Sequence, residues 1–160
     1  MDKAEIYKYL EEQNISYEVT EHKKVYNMEE LCTVELPYPE CCAKNLFLKD
    51  NKKCNYCLIT VKGDKRVNLK EFRKKYGLGA LSFASFEDLY KIMGLTPGSV
   101  SPFGILNDVE HTVHFYLDLE FLGNKIGVHP NNNTATVWVH SDDLMNLIKN
   151  YGNKAEFVKI

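Results

Sequence analysis

The sequence predicts a mixed α+β fold, built as one domain over residues 1–160. Segments with helical spacing of apolar residues intermix with short alternating segments, without the regular strand–helix–strand rhythm of parallel α/β proteins. A length of 160 residues suits one hydrophobic core, and no repeat, low-complexity tract or linker divides the chain. Hydrophobic residues make up 44% and charged residues 26% of the sequence, a balance typical of soluble globular proteins.

The first half of the chain is predicted to contain two helices and three strands. Asp2 is a favourable helix N-cap, and Ile6 and Leu10 lie on one face of the helix that it begins. Pro37 and Pro39 end the second helix, because proline is not tolerated in a regular helix interior. The predicted elements are a helix to about residue 13, a strand over 17–20, a helix over 28–34, and paired strands over 46–48 and 56–61 around a polar turn.

The second half alternates further helices and strands, with a loop over 97–104. Asn68 caps a helix over 69–76, and Ser85 with Asp88 resembles a capping box for a helix ending at Gly94. Ser141 is predicted to cap the last helix. The remaining predictions are strands over 81–83, 112–117, 125–128 and 134–140, the middle two on either side of a Gly123-Asn124 turn, and an edge strand over 156–158.

A short segment crowded with glycine and proline, residues 96–104, is the most informative part of the sequence. Glycine permits close approach of the backbone, and proline fixes its own φ angle, so such a loop can hold N–H and C=O groups in a fixed array. Composition alone is more typical of a surface turn between a helix and a strand. Two further segments favour a functional loop: Lys44-Asn45 before an apolar strand, and His129-Pro130 at the start of residues 129–137.

Taken in order and spacing, these motifs resemble the family of free-standing prolyl-tRNA editing proteins. The matching elements are Lys44-Asn45, the G-x-x-x-P pattern from Gly98 to Pro102, and His129-Pro130 followed by Asn-Thr-Ala-Thr over 133–136. The resemblance runs from about residue 20 to the C-terminus. It implies a central mixed, partly barrel-like sheet flanked by helices, and hydrolysis of alanine mischarged onto proline tRNA. The sequence departs from the family where His22-Lys23-Lys24 replaces a frequent Pro-Pro pair, and at Cys41-Cys42-Ala43.

The resemblance also implies the site residues. Lys44 and Gly98 are expected to be catalytic, with Lys44 binding the terminal phosphate of the tRNA or the ester carbonyl. His129 is expected to shape the pocket rather than to act as general base. The expected substrate-binding residues are Asn45, Ser99, Val100, Ser101, Pro102, Gly104 and His129. No metal or cofactor is expected.

An aminoacyl ester is already reactive, so its hydrolysis needs positioning, a water molecule and stabilisation of the oxyanion. The sequence is consistent with such a mechanism, because it contains no G-x-S-x-G elbow, P-loop or H-E-x-x-H motif. A site built for proline cannot strongly exclude the smaller alanine. A second, smaller pocket can admit alanine and reject proline, so the pocket of this protein is expected to select alanine. A related branch of the family removes cysteine, and that substrate remains the alternative within the family.

Positive charge is concentrated between Lys44 and Lys75. This segment holds eleven Lys and Arg against three acidic residues, a local charge of +8, so the total of −2 leaves −10 for the rest. Such a distribution favours a partner with phosphates, here aminoacylated tRNA(Pro), although a solvated lysine-rich face is the common alternative. The predicted tRNA-binding residues are Lys65, Arg66, Lys70, Arg73, Lys74 and Lys75. A non-catalytic RNA-binding module therefore stays open as a second function, and prolyl-tRNA synthetase as a transient partner.

The cysteines and the other histidines carry weaker predictions. Five cysteines cannot all pair internally, and Cys54 with Cys57 forms one C-x-x-C without a second ligand pair, which leaves a thiol or metal sensor as the third alternative. His111 and His114 are predicted to point to opposite faces of one strand. No partner is evident for His22 or His140. The polar N-terminus and the lack of a membrane-spanning apolar run predict a cytoplasmic protein without membrane contact.

Overall fold

The computed structural model describes residues 1–53 and 55–160 and has the predicted α+β architecture. The helices are α1 (Lys3–Glu12), α2 (Met28–Leu31), α3 (Leu69–Lys75), α4 (Phe86–Met93) and α5 (Ser141–Tyr151). The strands are β1 (Tyr17–Glu21), β2 (Ala43–Asp50), β3 (Asn55–Lys62), β4 (Leu81–Phe83), β5 (Val113–Asp118), β6 (Lys125–Val128), β7 (Ala135–His140) and β8 (Ala155–Val158). The predicted loop over 97–104 folds largely into 3₁₀ turns, Pro97–Ser99 and Pro102–Asn107.

The strands form two sheets that together make the mixed topology. The larger sheet has the order β4-β2-β3-β5-β8, in which β2 is antiparallel to both of its neighbours while β5 is parallel to β3 and β8. The smaller sheet, β1-β7-β6, is antiparallel. A bridge between Cys42 and Gly127 brings the start of β2 next to β6. The sheets do not close into a barrel, so the partly barrel-like feature of the expectation is not present in the described residues.

Three hydrophobic clusters hold the elements together. The largest contains buried residues of α1, α4, α5 and both sheets, including Phe103 and Phe115. A second lies beneath α3, where Phe72 packs edge-on against Tyr116 at a ring-centroid distance of 5.1 Å. The third packs Leu31 of α2 and Cys42 against Trp138 of β7. The start of β2 and the short helix α2 are therefore fixed on the smaller sheet, and this contact encloses the site described below.

The predicted helix caps are largely confirmed. Asp2 and Glu5 form a capping box at α1, and the side chains of Asn68 and Ser85 accept backbone N–H groups at the starts of α3 and α4. Gly94 ends α4 in the left-handed conformation, with a φ of 66°.

Four details differ from the sequence predictions. The helix predicted over 28–34 stops at Leu31. The strands on either side of Gly123 lie in different sheets, because β3 and β8 already occupy both edges of β5. The N-cap of α5 is His140, whereas the buried Ser141 hydroxyl donates to the carbonyl of Phe121 at 2.5 Å. His111 precedes β5 rather than lying in it.

Over the part of the chain that the structure describes, no helix is both long enough and apolar enough to cross a membrane.

Candidate active site

A cavity of about 240 Å³ lies where the start of β2 meets the smaller sheet. Its walls come from α2, the first residues of β2, the turn that contains Gly98, and the end of β6. The lining residues are Tyr26, Asn27, Met28, Leu31, Ala43, Lys44, Asn45, Pro97, Gly98, Val100, Gly127, Val128, His129 and Thr136. Five of the sequence-predicted site residues, Lys44, Asn45, Gly98, Val100 and His129, are thus brought together from three distant segments.

Lys44 is held by a chain of polar contacts that starts outside the cavity. Its ammonium group donates to the backbone carbonyl of Lys65. The Lys65 ammonium lies 2.6 Å from Asp118 Oδ2 and 2.7 Å from Glu120 Oε1. Partial burial lowers the pKa of Lys65, but the hydrogen bonds to both carboxylates outweigh burial and raise it overall. Hydrogen bonding to Lys65 also lowers the pKa of Glu120. This ion pair fixes the carbonyl that orients Lys44.

Asn45 connects the larger sheet to the Gly98 turn. Its Oδ1 accepts a hydrogen bond of 2.6 Å from the buried Thr60 hydroxyl, on the paired position of β3. Its Nδ2 donates across 3.4 Å to the carbonyl of Val100. Because the carbonyl of Val100 can only accept, it must face the Nδ2 group, so Asn45 is oriented with its donors toward the turn and its Oδ1 toward the Thr60 hydroxyl.

Gly98 lies at the mouth of the cavity beside Tyr26. A Cβ atom at this position would be 3.0 Å from Tyr26 Cδ1 and 3.6 Å from Asn133 Nδ2. Gly98 is absent from the glycines with positive φ, so a left-handed backbone does not explain its presence. What it provides is close approach to the aromatic ring and an open strip of backbone along the cavity.

His129 follows β6 and is oriented by the neighbouring strand β7. Its Nδ1 lies 2.8 Å from the carbonyl of Ala135, so this nitrogen carries the proton. Burial is the main cause that lowers the pKa of His129, the nearby His22 lowers it further, and the hydrogen bond to Ala135 opposes both. A neutral ring with a protonated Nδ1 leaves Nε2 as an acceptor. His22, for which the sequence indicated no partner, bonds to Thr136 Oγ1 at 3.0 Å, and its ring centroid is 6.1 Å from that of His129.

Comparison with known proteins places the chain in a family. Residues 22–147 match the model of the aminoacyl-tRNA editing domain. The chain is 38% identical to the prolyl-tRNA editing protein ProX of Acetoanaerobium sticklandii, over 94% of this chain and 93% of that protein. It is 34% identical to the prolyl-tRNA synthetase associated domain-containing protein 1 of Bos taurus, over 87% and 84% of the two chains.

The chain belongs to the aminoacyl-tRNA editing family. It is therefore an aminoacyl-tRNA deacylase, as its sequence motifs indicated. A solved structure described as a candidate trans-editing enzyme for prolyl-tRNA synthetase has the same fold, with a TM-score of 0.70 at 20% identity over 100% of this chain and 98% of that one.

Four predicted substrate-binding residues of the editing domain do not line the cavity: Ser99, Ser101, Pro102 and Gly104. Ser101 is fully buried, and its hydroxyl accepts the backbone N–H of Phe103. A Cβ atom on Gly104 would lie 2.6 Å from side-chain atoms of Leu95 and Met93. Ser101 and Gly104 therefore support the turn from below rather than lining the cavity.

The sequence reasoning missed the contribution of α2 and β6 to the editing cavity. Met28 and Leu31 line it because the third hydrophobic cluster fixes α2 against Trp138. Gly127 is required because a Cβ atom there would be 2.3 Å from the Trp138 ring. The only sequence signal was the helix predicted from residue 28, since the packing that turns it toward the cavity is tertiary.

The basic residues of the editing domain form two groups on the surface. Lys65, Arg66 and Lys75 lie near the C-terminal residues Lys159 and Ile160. Within this group Lys65 is paired with two carboxylates, and Lys75 donates to the carbonyl of Lys159 at 3.2 Å. Lys70, Arg73 and Lys74 line a separate depression with Leu69, Ala80 and Leu81. The second group is thus the better candidate for phosphate contacts, whereas the Lys65 carbonyl contacts Lys44.

Among residues 1–53 and 55–160, no cluster of three or more His, Cys, Asp or Glu is arranged to hold a metal ion. Burial raises the pKa of Cys42 and of Cys57 to about 12, so both thiols remain protonated. The predicted C-x-x-C motif cannot be assessed as a pair, because Cys54 lies outside the described residues. His111 and His114 bond instead to Asn153 and Glu156.

Proposed function

We propose that this protein is a trans-editing hydrolase that deacylates Ala-tRNA(Pro), releasing alanine and free tRNA. The observation that carries the proposal is the small cavity in which Lys44, Asn45, Gly98 and His129 converge. The names of the relatives support prolyl-tRNA as the edited class. The alternative of a non-catalytic RNA-binding module does not account for this convergence.

In the proposed reaction, water attacks the ester carbonyl and the bond to the terminal ribose of the tRNA breaks. The ribose oxygen leaves with a proton, and alanine is released. The ammonium of Lys44 has two N–H donors beyond the one given to Lys65, and one of them stabilises the developing oxyanion or binds the terminal phosphate. The backbone at Gly98 and the amide of Asn45 hold the ester in position.

His129 has a positioning role in this proposal. Its neutral Nε2 accepts a hydrogen bond from the α-ammonium group of the alanyl ester or from the attacking water. The ring stays neutral because burial lowers its pKa. The Ala135 carbonyl of β7 holds the ring by its hydrogen bond, and the His22 ring, just after β1, lies 6.1 Å away on another side.

Substrate size is proposed to be selected by the apolar walls of the cavity. Val100, Val128, Met28 and Leu31 leave a space of about 240 Å³ that is shared between the alanyl group and the ribose. One additional methylene in such a pocket changes the free energy of binding by about 1–3 kcal/mol, which allows alanine to be favoured over proline. Cysteine is close to alanine in size, so Cys-tRNA(Pro) is the competing substrate.

Deacylation of Ala-, Cys- and Pro-tRNA(Pro) by the purified protein tests the proposal. We expect Ala-tRNA(Pro) to be hydrolysed much faster than the other two under single-turnover conditions. A preference for Cys-tRNA(Pro) would change the substrate but keep the reaction. Binding of all three tRNAs without hydrolysis would support the RNA-binding module instead.

The proposed partners follow from the substrate. Aminoacylated tRNA(Pro) is the substrate, and prolyl-tRNA synthetase, which produces it, is a transient partner. We propose a cytoplasmic location because the substrate is made and used there by the translation machinery. The proposed editing domain spans residues 1–160 as one unit.

A further inference from the structure

A second groove adjoins the editing cavity on the side of β4 and α4. It has a volume of about 310 Å³ and shares Asn45, Pro97 and Val100 with the cavity. Its remaining lining residues are Phe47, Phe83, Ala84, Phe86 and Leu89. A molecule that holds its ester in the cavity and continues past Val100 would therefore enter this groove directly.

Two exposed phenylalanine side chains form the open wall of the groove. Phe83, at the end of β4, is 66% exposed, and Phe86, at the start of α4, is 71% exposed. Their backbone positions are fixed. Phe83 pairs with Leu48 of β2, and Ser85, which lies between the two phenylalanines in the sequence, caps the start of α4. Large apolar side chains exposed side by side on a rigid corner are typical of a binding surface rather than of a solvated one.

Three cationic side chains of α3 lie beside the start of β4, the strand that ends at Phe83. Leu81 lies two residues before Phe83 and therefore on the same face of β4. Leu81 also lines the depression that contains Lys70, Arg73 and Lys74 of α3. Phe47 and Leu89 of the groove pack on one face of the larger sheet, whereas Leu81 packs with Phe72 of α3 on the other. The path therefore runs from the editing cavity past the two exposed rings and around the edge strand β4 to the three cationic side chains.

We propose that this groove binds the unpaired 3′-terminal nucleotides of the tRNA, with bases stacked on Phe83 and Phe86. The inference rests on the proposed function, because the cavity must hold the ester for the groove to receive the adjoining nucleotides. Aromatic rings followed by cations match the bases and phosphates of single-stranded RNA. A protein partner would match the rings, but it would not explain their continuity with the site that holds the aminoacyl end.

Two measurements test the groove. The first is the dissociation constant of a fluorescent RNA oligonucleotide that ends in CCA and carries no amino acid. The second is kcat/KM for deacylation of Ala-tRNA(Pro). We expect Phe83→Ala and Phe86→Ala each to weaken oligonucleotide binding by about tenfold and to lower kcat/KM similarly, which is the usual effect of losing one stacking ring. Phe83→Tyr and Phe86→Tyr keep a ring and should retain both values.

Tyr90→Ala is the matched control. Tyr90 is 69% exposed on the same helix as Phe86, but it does not line the groove. It should leave both measurements unchanged, and thermal unfolding should be unaltered in all variants because the side chains are exposed. An equal loss for Tyr90→Ala would overturn the proposal, since the effect would then not belong to the groove.

The two measurements separate this inference from the proposed function. If the wild-type protein hydrolyses Ala-tRNA(Pro) and the Phe83→Ala/Phe86→Ala double variant does so equally well, the groove proposal is wrong and the function stands. If the wild-type protein fails to hydrolyse the substrate but binds the oligonucleotide through both rings, the groove stands and the proposed function is wrong.

Discussion

In the sequence Lys44 resembles an ordinary surface lysine, but in the folded chain its ammonium group has a fixed position beside the cavity. Its position at the start of β2 places it on the cavity wall, and its contact with the Lys65 carbonyl restricts the ammonium group. The family resemblance predicted a functional role for Lys44, and the local concentration of positive charge predicted tRNA binding by Lys65. The ion pairs of Lys65 could not be predicted without the fold, because Asp118 and Glu120 are more than fifty residues away along the chain.

Replacement of Lys44 by alanine should nearly abolish deacylation of Ala-tRNA(Pro) while the fold remains intact. Loss of a donor to a developing oxyanion typically lowers the rate by about 10²–10³-fold. Lys44→Arg should restore little, because a planar guanidinium does not replace a compact ammonium in a small cavity. Single-turnover rates measure the effect, and circular dichroism verifies the fold.

Lys49→Ala is a suitable control for Lys44→Ala, because Lys49 lies on the same strand but outside the cavity. It should deacylate at close to the wild-type rate. A near-normal rate for Lys44→Ala itself would contradict both its assigned role and the proposed mechanism.

The elements that the sequence predicted well are those defined by local signals. The side chains of Asn68 and Ser85 reach backbone groups three residues away, so the starts of α3 and α4 could be read directly. Ser141 is the same type of favourable N-cap residue, but its hydroxyl donates a hydrogen bond to the carbonyl of Phe121, twenty residues earlier in the chain. The separation of β5 and β6 into different sheets is also non-local, because it depends on β8, the last strand of the chain.

The Gly98 turn was predicted as a loop that binds the substrate. In the structure its residues lie at different depths. Gly98 and Val100 line the cavity, whereas Ser101 and Gly104 support the turn from below. No spacing rule distinguishes these two groups, because the 3₁₀ turns around Pro97 and Pro102 determine which residue faces the cavity.

Gly98→Ala should impair deacylation more than stability. The added methyl group would lie 3.0 Å from Tyr26 Cδ1, and the exposed Tyr26 ring can move away, so the folding cost is small. The methyl group would nevertheless occupy the mouth of the cavity, where the substrate must approach the backbone. We expect a loss in kcat/KM of at least tenfold, with a melting temperature close to that of the wild-type protein. Wild-type kinetics in this variant would show that the substrate does not approach Gly98.

At the scale of the whole molecule, the site exists because two sheets meet. The Cys42–Gly127 bridge joins the start of β2 to β6, and α2 closes the space between them. Each motif could be recognised in the sequence separately, but the cavity requires long-range packing of Leu31 and Cys42 on Trp138. The resemblance therefore predicted which residues form the site, and five of them line the cavity, while the walls contributed by α2 could come only from the fold.

The charge distribution is the other property that belongs to the whole molecule. Residues 44–75 carry a charge of +8 in a chain whose total charge is −2. In the structure Lys65 is paired with two acids, whereas Lys70, Arg73 and Lys74 lie together on α3, around the edge strand β4 from the groove that Phe83 and Phe86 line. These three cations are the ones expected to contact phosphates.

Replacement of Lys70, Arg73 and Lys74 by glutamine should therefore weaken tRNA binding and flatten its dependence on salt. Each lost phosphate contact reduces the magnitude of the slope of log K against log salt concentration by about 0.7–0.9, so three contacts correspond to a reduction of about 2–3. A triple replacement of the exposed Lys8, Lys149 and Lys154 removes the same net charge elsewhere on the surface and should change the slope much less. Binding titrations between about 50 and 200 mM salt provide both slopes. If the two triple variants show equal slopes, the effect comes from net charge alone, and α3 is a solvated face rather than a tRNA contact.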